Sequence, residues 1–122
     1  MAVIIHHSVG QGGRNETIDV RVVQRLLNDY LTGTGQLLNV DGRVGPKTLA
    51  AIQAFQTKET GVVDGRFDPN GPAINKLGEL HIKRVMGGLS SQFTGLLKGL
   101  PVAPTQVPTL FLENYWLLLR KT

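Results

Sequence analysis

Two arginines stand in the same local setting, and a guanidinium is well suited to hold an anion. Arg43 lies in Val40-Asp41-Gly42-Arg43-Val44-Gly45-Pro46 and Arg66 in Val63-Asp64-Gly65-Arg66-Phe67-Asp68-Pro69, with the copies 23 residues apart. Guanidinium pairs with carboxylate through a bidentate fork. Each Asp-Gly step also favours a tight turn. Asp41 and Asp64 can accept from nearby backbone N–H groups, while Gly42 and Gly65 supply positive φ. A rigid turn can shape the backbone and hold a recognition group at once. The plain alternative leaves each arginine solvated or paired with a local aspartate.

Other chemistries find less support. His6 and His7 are adjacent, so on a regular strand they face opposite sides and cannot share a metal. His81 is the third histidine, and the chain has no cysteine and no H-E-x-x-H pattern, so neither a metal site nor a cofactor is expected. Ser8 lacks an evident His/Asp arrangement for nucleophilic attack. Glycoside cleavage needs two carboxyl groups across a sugar bond. Glu16, Glu59 and Glu79 fall on or beside ordinary helices, and nothing marks a pair. A binding module is expected rather than an enzyme.

The elements that must position the two arginines are helical. Val20, Val23, Leu26, Leu27, Tyr30 and Leu31 recur at helical spacing, predicting a first helix over about residues 18–31. Thr17 or Asp19 can cap its start, and Thr32-Gly33-Thr34-Gly35 stops it. Pro46 suits the first position of a second helix, with Leu49, Ile52 and Phe55 as its buried stripe and an end near Thr60-Gly61. Gly71-Pro72 opens a third, carried by Ile74, Leu77 and Leu80 or His81, weakened by Gly78, and running on through Ile82 and Val85 to an end at Gly87-Gly88. Val3-Ile4-Ile5 is expected to pair as an edge strand or to pack on the domain.

From residue 88 to 109 the composition shifts to Gly, Ser, Thr and Pro, with Pro101, Pro104 and Pro108 opposing a regular helix. Leu110 to Lys121 then predicts a short helix that is apolar nearly all round. The organisation expected is a domain over 1–87 and an arm with an apolar helix over 88–122. Leu112, Tyr115, Trp116 and Leu119 either extend the core or dock on a protein partner or a second copy. A membrane-surface role, with Arg120 and Lys121 at the headgroups, is the remaining alternative.

Charge and length set outer bounds. The 122 residues are 41% hydrophobic and carry a net charge of +4, enough apolar content for a core. The first eighty residues are neutral overall. The cationic excess of 81–122, Lys83, Arg84, Lys98, Arg120 and Lys121 against Glu113, is spread out. No dense basic patch forms, so nucleic acid is not an expected partner. No apolar run approaches the roughly 18 residues of a membrane span. The first residues lack the pattern of a classical signal peptide.

The ordered series Asp19-Val20-Arg21-Val22-Val23-Gln24-Arg25-Leu26-Leu27-Asn28, Val40 to Thr48, Ala51-Ile52-Gln53-Ala54-Phe55-Gln56 and Gly61 to Gly65 resembles the bacterial peptidoglycan-binding domain of three helices. The resemblance covers about residues 15–80. Its second corner is longer, through Asp68-Pro69-Asn70, and Ile74 replaces the threonine found at Thr48. It implies an all-α, three-helix bundle with two Asp-Gly-Arg corners, and non-catalytic targeting to the cell wall. Peptide stems of the wall present carboxylates, and a diaminopimelate residue adds a further carboxylate and an amine.

Asp41, Gly42, Arg43, Gly45, Thr48, Gln56 and Arg66 are therefore the expected ligand-binding residues, with Arg43 foremost. Thr48 either bonds to the turn or contacts ligand. Gln24 and Gln56 either present amides beside a groove or are solvated. Peptidoglycan is the expected partner, and the cell wall or periplasm, reached by a non-Sec route, the expected place of action. The alternative function is an adaptor or anchor acting through residues 88–122, as in a type VI-like secretion or phage lysis system. A small wall hydrolase comes third.

Overall fold

The computed structural model of the protein describes residues 4–97 and 115–120. Three helices, α1 (Thr17–Tyr30), α2 (Pro46–Glu59) and α3 (Pro72–Leu97), surround one core, and a two-residue ribbon pairs β1 (Val9–Gly10) with β2 (Arg66–Phe67). The ribbon is antiparallel, with Val9 opposite Phe67 and Gly10 opposite Arg66. The fold is the all-α bundle expected from the periodicity.

Helix α1 forms because Val20, Val23 and Leu27 return to one face every three or four residues. They are buried together with Val22 and Leu26. Its start is not capped as expected: Glu16 occupies the N-cap position without a side-chain hydrogen bond. The Asp19 carboxylate turns instead toward the chain's beginning, where His6 and His7 offer stronger demand. Beyond Tyr30, Leu31 N–H donates to the Leu27 carbonyl at 2.8 Å and Gly33 adopts φ 91°, which ends the helix.

Helix α2 begins at Pro46, whose missing N–H costs nothing there. Its buried face is Thr48, Ile52, Phe55 and Gln56. This corrects the expected stripe: Leu49 is only half-buried. Spacings of four, seven and eight residues from Thr48 follow the helical period more closely than a stripe through Leu49, so two polar side chains enter the interior.

Helix α3 passes Gly87-Gly88 and reaches Leu97, so the expected stop there is not observed. Glycine in a helix interior costs about 1 kcal/mol but leaves the hydrogen-bond ladder intact, and no proline intervenes between Pro72 and Pro101. Gly78 has a packing role. A Cβ there would sit 2.5 Å from Ile4 Cδ1 and 3.2 Å from Trp116 Cζ2. Pro101, Pro104, Pro108 and Leu112 lie outside the described residues.

Phe55 and Phe67 are fully buried, with ring centroids 5.8 Å apart, and Tyr30 meets Phe55 edge-on at 4.9 Å. Ile5, Leu26, Leu27, Ile52, Ile74 and Leu77 complete the core. Each such side chain contributes about 1.5–3 kcal/mol relative to exposure. Ile4 and Ile5 pack into this core rather than pairing as a strand. The ribbon forms later in the chain, at Val9, where Gly10 lets two backbones approach.

The helical segment 115–120 folds back on the domain. Trp116 is 4% exposed within the core, and Tyr115 and Leu119 pack partly buried against it. Polar ties flank it. Arg25 Nη1 donates to the Leu119 carbonyl at 3.1 Å, Tyr115 Oη hydrogen-bonds His81 Nε2, and His81 Nδ1 lies 2.9 Å from Asp29 Oδ2. Arg120 pairs with Asp19.

Asp19 thus joins both ends of the chain to α1. It is fully buried, and its carboxylate accepts from His6 N–H at 3.0 Å, His7 N–H at 3.1 Å and Arg120, with the His7 ring at 3.0 Å. Burial pushes this carboxyl up, but the bonds from Arg120, His6 N–H and His7 outweigh it and hold it below the ordinary 3.8. Asp19→Ala leaves a partly buried guanidinium and two N–H groups without this acceptor. The expected loss is about 3–5 kcal/mol, read as a lower urea midpoint. A loss under about 1 kcal/mol, the surface-pair range, would contradict the buried cluster.

Candidate functional site

The two Asp-Gly-Arg corners are built by the same hydrogen bonds, each around a buried glutamine from the preceding helix. At the first, Gln24 Nε2 donates to Asp41 Oδ1 and to the Arg43 carbonyl, both at 3.0 Å, while Gln24 Oε1 accepts from Gly42 N–H at 3.0 Å. Arg43 N–H closes the turn onto Asp41 Oδ1 at 2.9 Å. At the second, Gln56 Nε2 donates to Asp64 Oδ1 at 2.8 Å and to the Arg66 carbonyl at 2.9 Å. Gly65 N–H reaches Gln56 Oε1 at 2.9 Å and Arg66 N–H reaches Asp64 Oδ1 at 3.0 Å. Gly42 and Gly65 adopt φ of 77° and 74°, a region that disfavours side chains with a Cβ.

These clasps explain why two amides lie in the core. Gln24 is 1% and Gln56 2% exposed. A buried amide is tolerated when its donors and acceptor are satisfied, and no buried side-chain polar atom among the described residues lacks a partner. Sequence reasoning placed both glutamines beside a groove or in solvent. The signal that locates them is register. Gln24 falls four residues after Val20 and three before Leu27, and Gln56 four after Ile52, so each lies on its helix's apolar face.

The corners differ in what surrounds them. The loop before α1 covers the second: Gln11 N–H donates to the Gly65 carbonyl at 2.9 Å, and a Cβ on Gly10 would lie 2.1 Å from that oxygen. The Asn15 amide secures this loop by accepting from Gly10 N–H at 2.7 Å and donating to the Gly10 carbonyl at 3.1 Å. Ser8 Oγ accepts from Arg14 N–H at 3.1 Å in the same loop. Arg66 is neutralised by Asp68, with Nε–Oδ1 2.8 Å.

Arg43 is exposed and forms no ion pair with a described residue. Beside Gly42 lie Thr17 and Arg21, the Arg21 Nε atom 3.4 Å from where a Cβ would stand. Gly45 precedes α2 without a side-chain cap, and the first turn of α2 contains no acidic residue. Lys47, in that turn, is also exposed and unpaired among the described residues. The beginning of α2 therefore combines a helix start without a side-chain cap, the positive end of a helix dipole and two cations flanking it in sequence. Such a combination suits a carboxylate.

The expected site residues divide accordingly. Arg43 and the α2 start at Gly45 remain open. Gly42 N–H, Arg43 N–H and the Gln56 amide are spent inside the corners, and Thr48 is 4% exposed with Oγ1 accepting from Gln24 Nε2 at 3.3 Å. Lys47, which sequence reasoning passed over, lines a groove of 560 Å³ with Leu31, Leu37, Leu38, Ala50, Ala51 and Ala54. Leu31, Ala51 and Ala54 continue into a second groove of 540 Å³ that reaches Lys58, Lys83 and Arg84. Small side chains on the outer face of α2 make this trough.

The clasps also set a pH dependence. The hydrogen bond from the Gln24 amide, then that from Arg43 N–H, holds the Asp41 carboxyl below its ordinary 3.8. The Gln56 amide and Arg66 N–H do the same for Asp64. A carboxyl with a depressed folded-state value contributes stability that is complete above its unfolded value and is lost as the pH falls through the folded one. Unfolding free energy is therefore expected to be level above about pH 5 and to drop below about pH 4. The double variant Asp41→Asn, Asp64→Asn should show a shallower fall in acid, leaving mainly the Asp19 contribution. An unchanged slope in urea titrations from neutral to acid pH would rule out the clasps as its source.

Residues 17–70 match the model of a family described as "Putative peptidoglycan binding domain". No curated protein and no solved structure matches the chain. The matched stretch runs from the first residue of α1 through both clasped corners and stops just before α3. From Thr17 to Asn70, the chain is similar to this peptidoglycan-binding domain family.

Proposed function

We propose that this protein binds peptidoglycan non-covalently through the peptide part of the polymer, without cleaving a bond, and so targets or anchors an associated protein at the wall. A stem carboxylate sits at the start of α2, between Arg43 and Lys47. The remainder of the stem lies along the apolar trough on α2, where Ala50, Ala51 and Ala54 leave room for it. The observation that carries this reading is the uncapped beginning of α2 flanked by two exposed cations that form no ion pair with a described residue.

The asymmetry of the repeat favours the first corner over the second. Arg66 already has a carboxylate partner and its corner is covered by the N-terminal loop. A shallow, polar site of this type binds one stem weakly. Many stems on one polymer raise the effective concentration and compensate.

A partner role for Tyr115, Trp116 and Leu119 has less surface to draw on, because Trp116 is buried in the domain. Leu117 and Leu118, 55% and 63% exposed, are what the adaptor reading retains.

Sedimentation with insoluble peptidoglycan tests the proposal. The wild-type chain should pellet with the polymer. Arg43→Ala should weaken retention about tenfold or more, the loss expected for one charge-assisted hydrogen bond. Arg66→Ala should leave it near wild type. A wild-type chain that stays in the supernatant would end the reading.

A further inference from the structure

Gln24 does more than its repeat-mate Gln56. Both amides clasp a corner with matching bonds, but Gln24 Nε2 also lies 3.3 Å from Thr48 Oγ1, inside the first turn of α2. One amide therefore ties together three pieces of backbone: α1, the turn bearing Arg43, and the helix start bearing Lys47. Both backbone sides of Arg43 are held, its N–H by Asp41 and its carbonyl by Gln24. The direction in which its side chain leaves the surface follows from those two bonds. Gln56 holds Arg66 in the same way, yet that arginine is engaged by Asp68.

We propose that Gln24 is a positioning residue for ligand capture, setting Arg43 and the start of α2 at the separation one carboxylate needs, while Gln56 only stabilises the fold. This rests on the first corner being the carboxylate-binding end of the site. The physical reason is that the guanidinium and the helix terminus belong to different backbone segments. Two weak anion-binding groups act on one carboxylate only if their spacing is preset, and flexibility between them would be lost on binding at a cost in affinity.

The internal repeat supplies the control. Gln24→Glu and Gln56→Glu each set a second carboxylate against the aspartate of a corner and remove the donor to the arginine carbonyl. Their effects on stability should be similar, and urea unfolding of the full chain measures them. A soluble muropeptide preparation is then titrated into each variant while the amide resonances of Arg43 and Lys47 are followed. Gln24→Glu should raise the Kd about tenfold, and Gln56→Glu less than about twofold.

The introduced carboxyl beside Asp41 has a raised pKa. Lowering the pH from about 8 to about 5 should therefore restore binding by Gln24→Glu relative to wild type at the same pH. Equal weakening by the two variants, or none by Gln24→Glu, would overturn the positioning role while leaving the site intact, provided Arg43→Ala still weakens binding about tenfold or more. Wild type that does not respond to muropeptide would overturn both. Should either Glu variant fail to fold, Gln24→Met against Gln56→Met makes the same comparison without the added charge.

Discussion

A primary amide buried among leucines and valines is costly unless every donor and acceptor is met. Gln24 and Gln56 meet this condition with the same three groups each: an aspartate oxygen, a glycine N–H and an arginine carbonyl. The constraint runs both ways. The glutamine cannot be buried unless the turn is in place, and the turn cannot keep its positive-φ glycine against the helix without the amide. Each Asp-Gly-Arg corner is therefore joined to its preceding helix by a polar bond network within the apolar core. The helix that follows starts from that fixed point.

The same logic operates at the ends of the described chain. Asp19 collects His6, His7 and Arg120 in a buried cluster, and Trp116 fills the space over Gly78 that a larger helix residue would occupy. A three-helix bundle of this size has little interior to spare. The N-terminal isoleucines and the segment 115–120 enlarge it. Trp116 is thereby buried in the fold.

Repetition with divergence accounts for the candidate site. Two corners share one hydrogen-bond pattern, so their backbones are equivalent. What separates them is local company: Asp68 and the loop through Gln11 occupy the second, while the first keeps Arg43, Lys47 and an uncapped helix start open. A structural repeat of this kind lets one copy be covered while the other stays open.

Periodicity and turn chemistry determined much from the sequence alone: three helices, the positions of Pro46 and Pro72, and the positive-φ glycines of both corners. These are local properties, governed by neighbours within a few residues. The tertiary structure decided the rest. It placed Gln24 and Gln56 inside, paired Arg66 but, among the described residues, not Arg43, turned Asp19 from a helix cap into a junction, carried α3 past Gly87-Gly88 and returned Trp116 to the core. Several of these depend on a partner distant in sequence, Asp41 for Gln24 or Arg120 for Asp19. A polar side chain's burial is settled by whether such a partner arrives, and residue type and spacing do not encode that arrival.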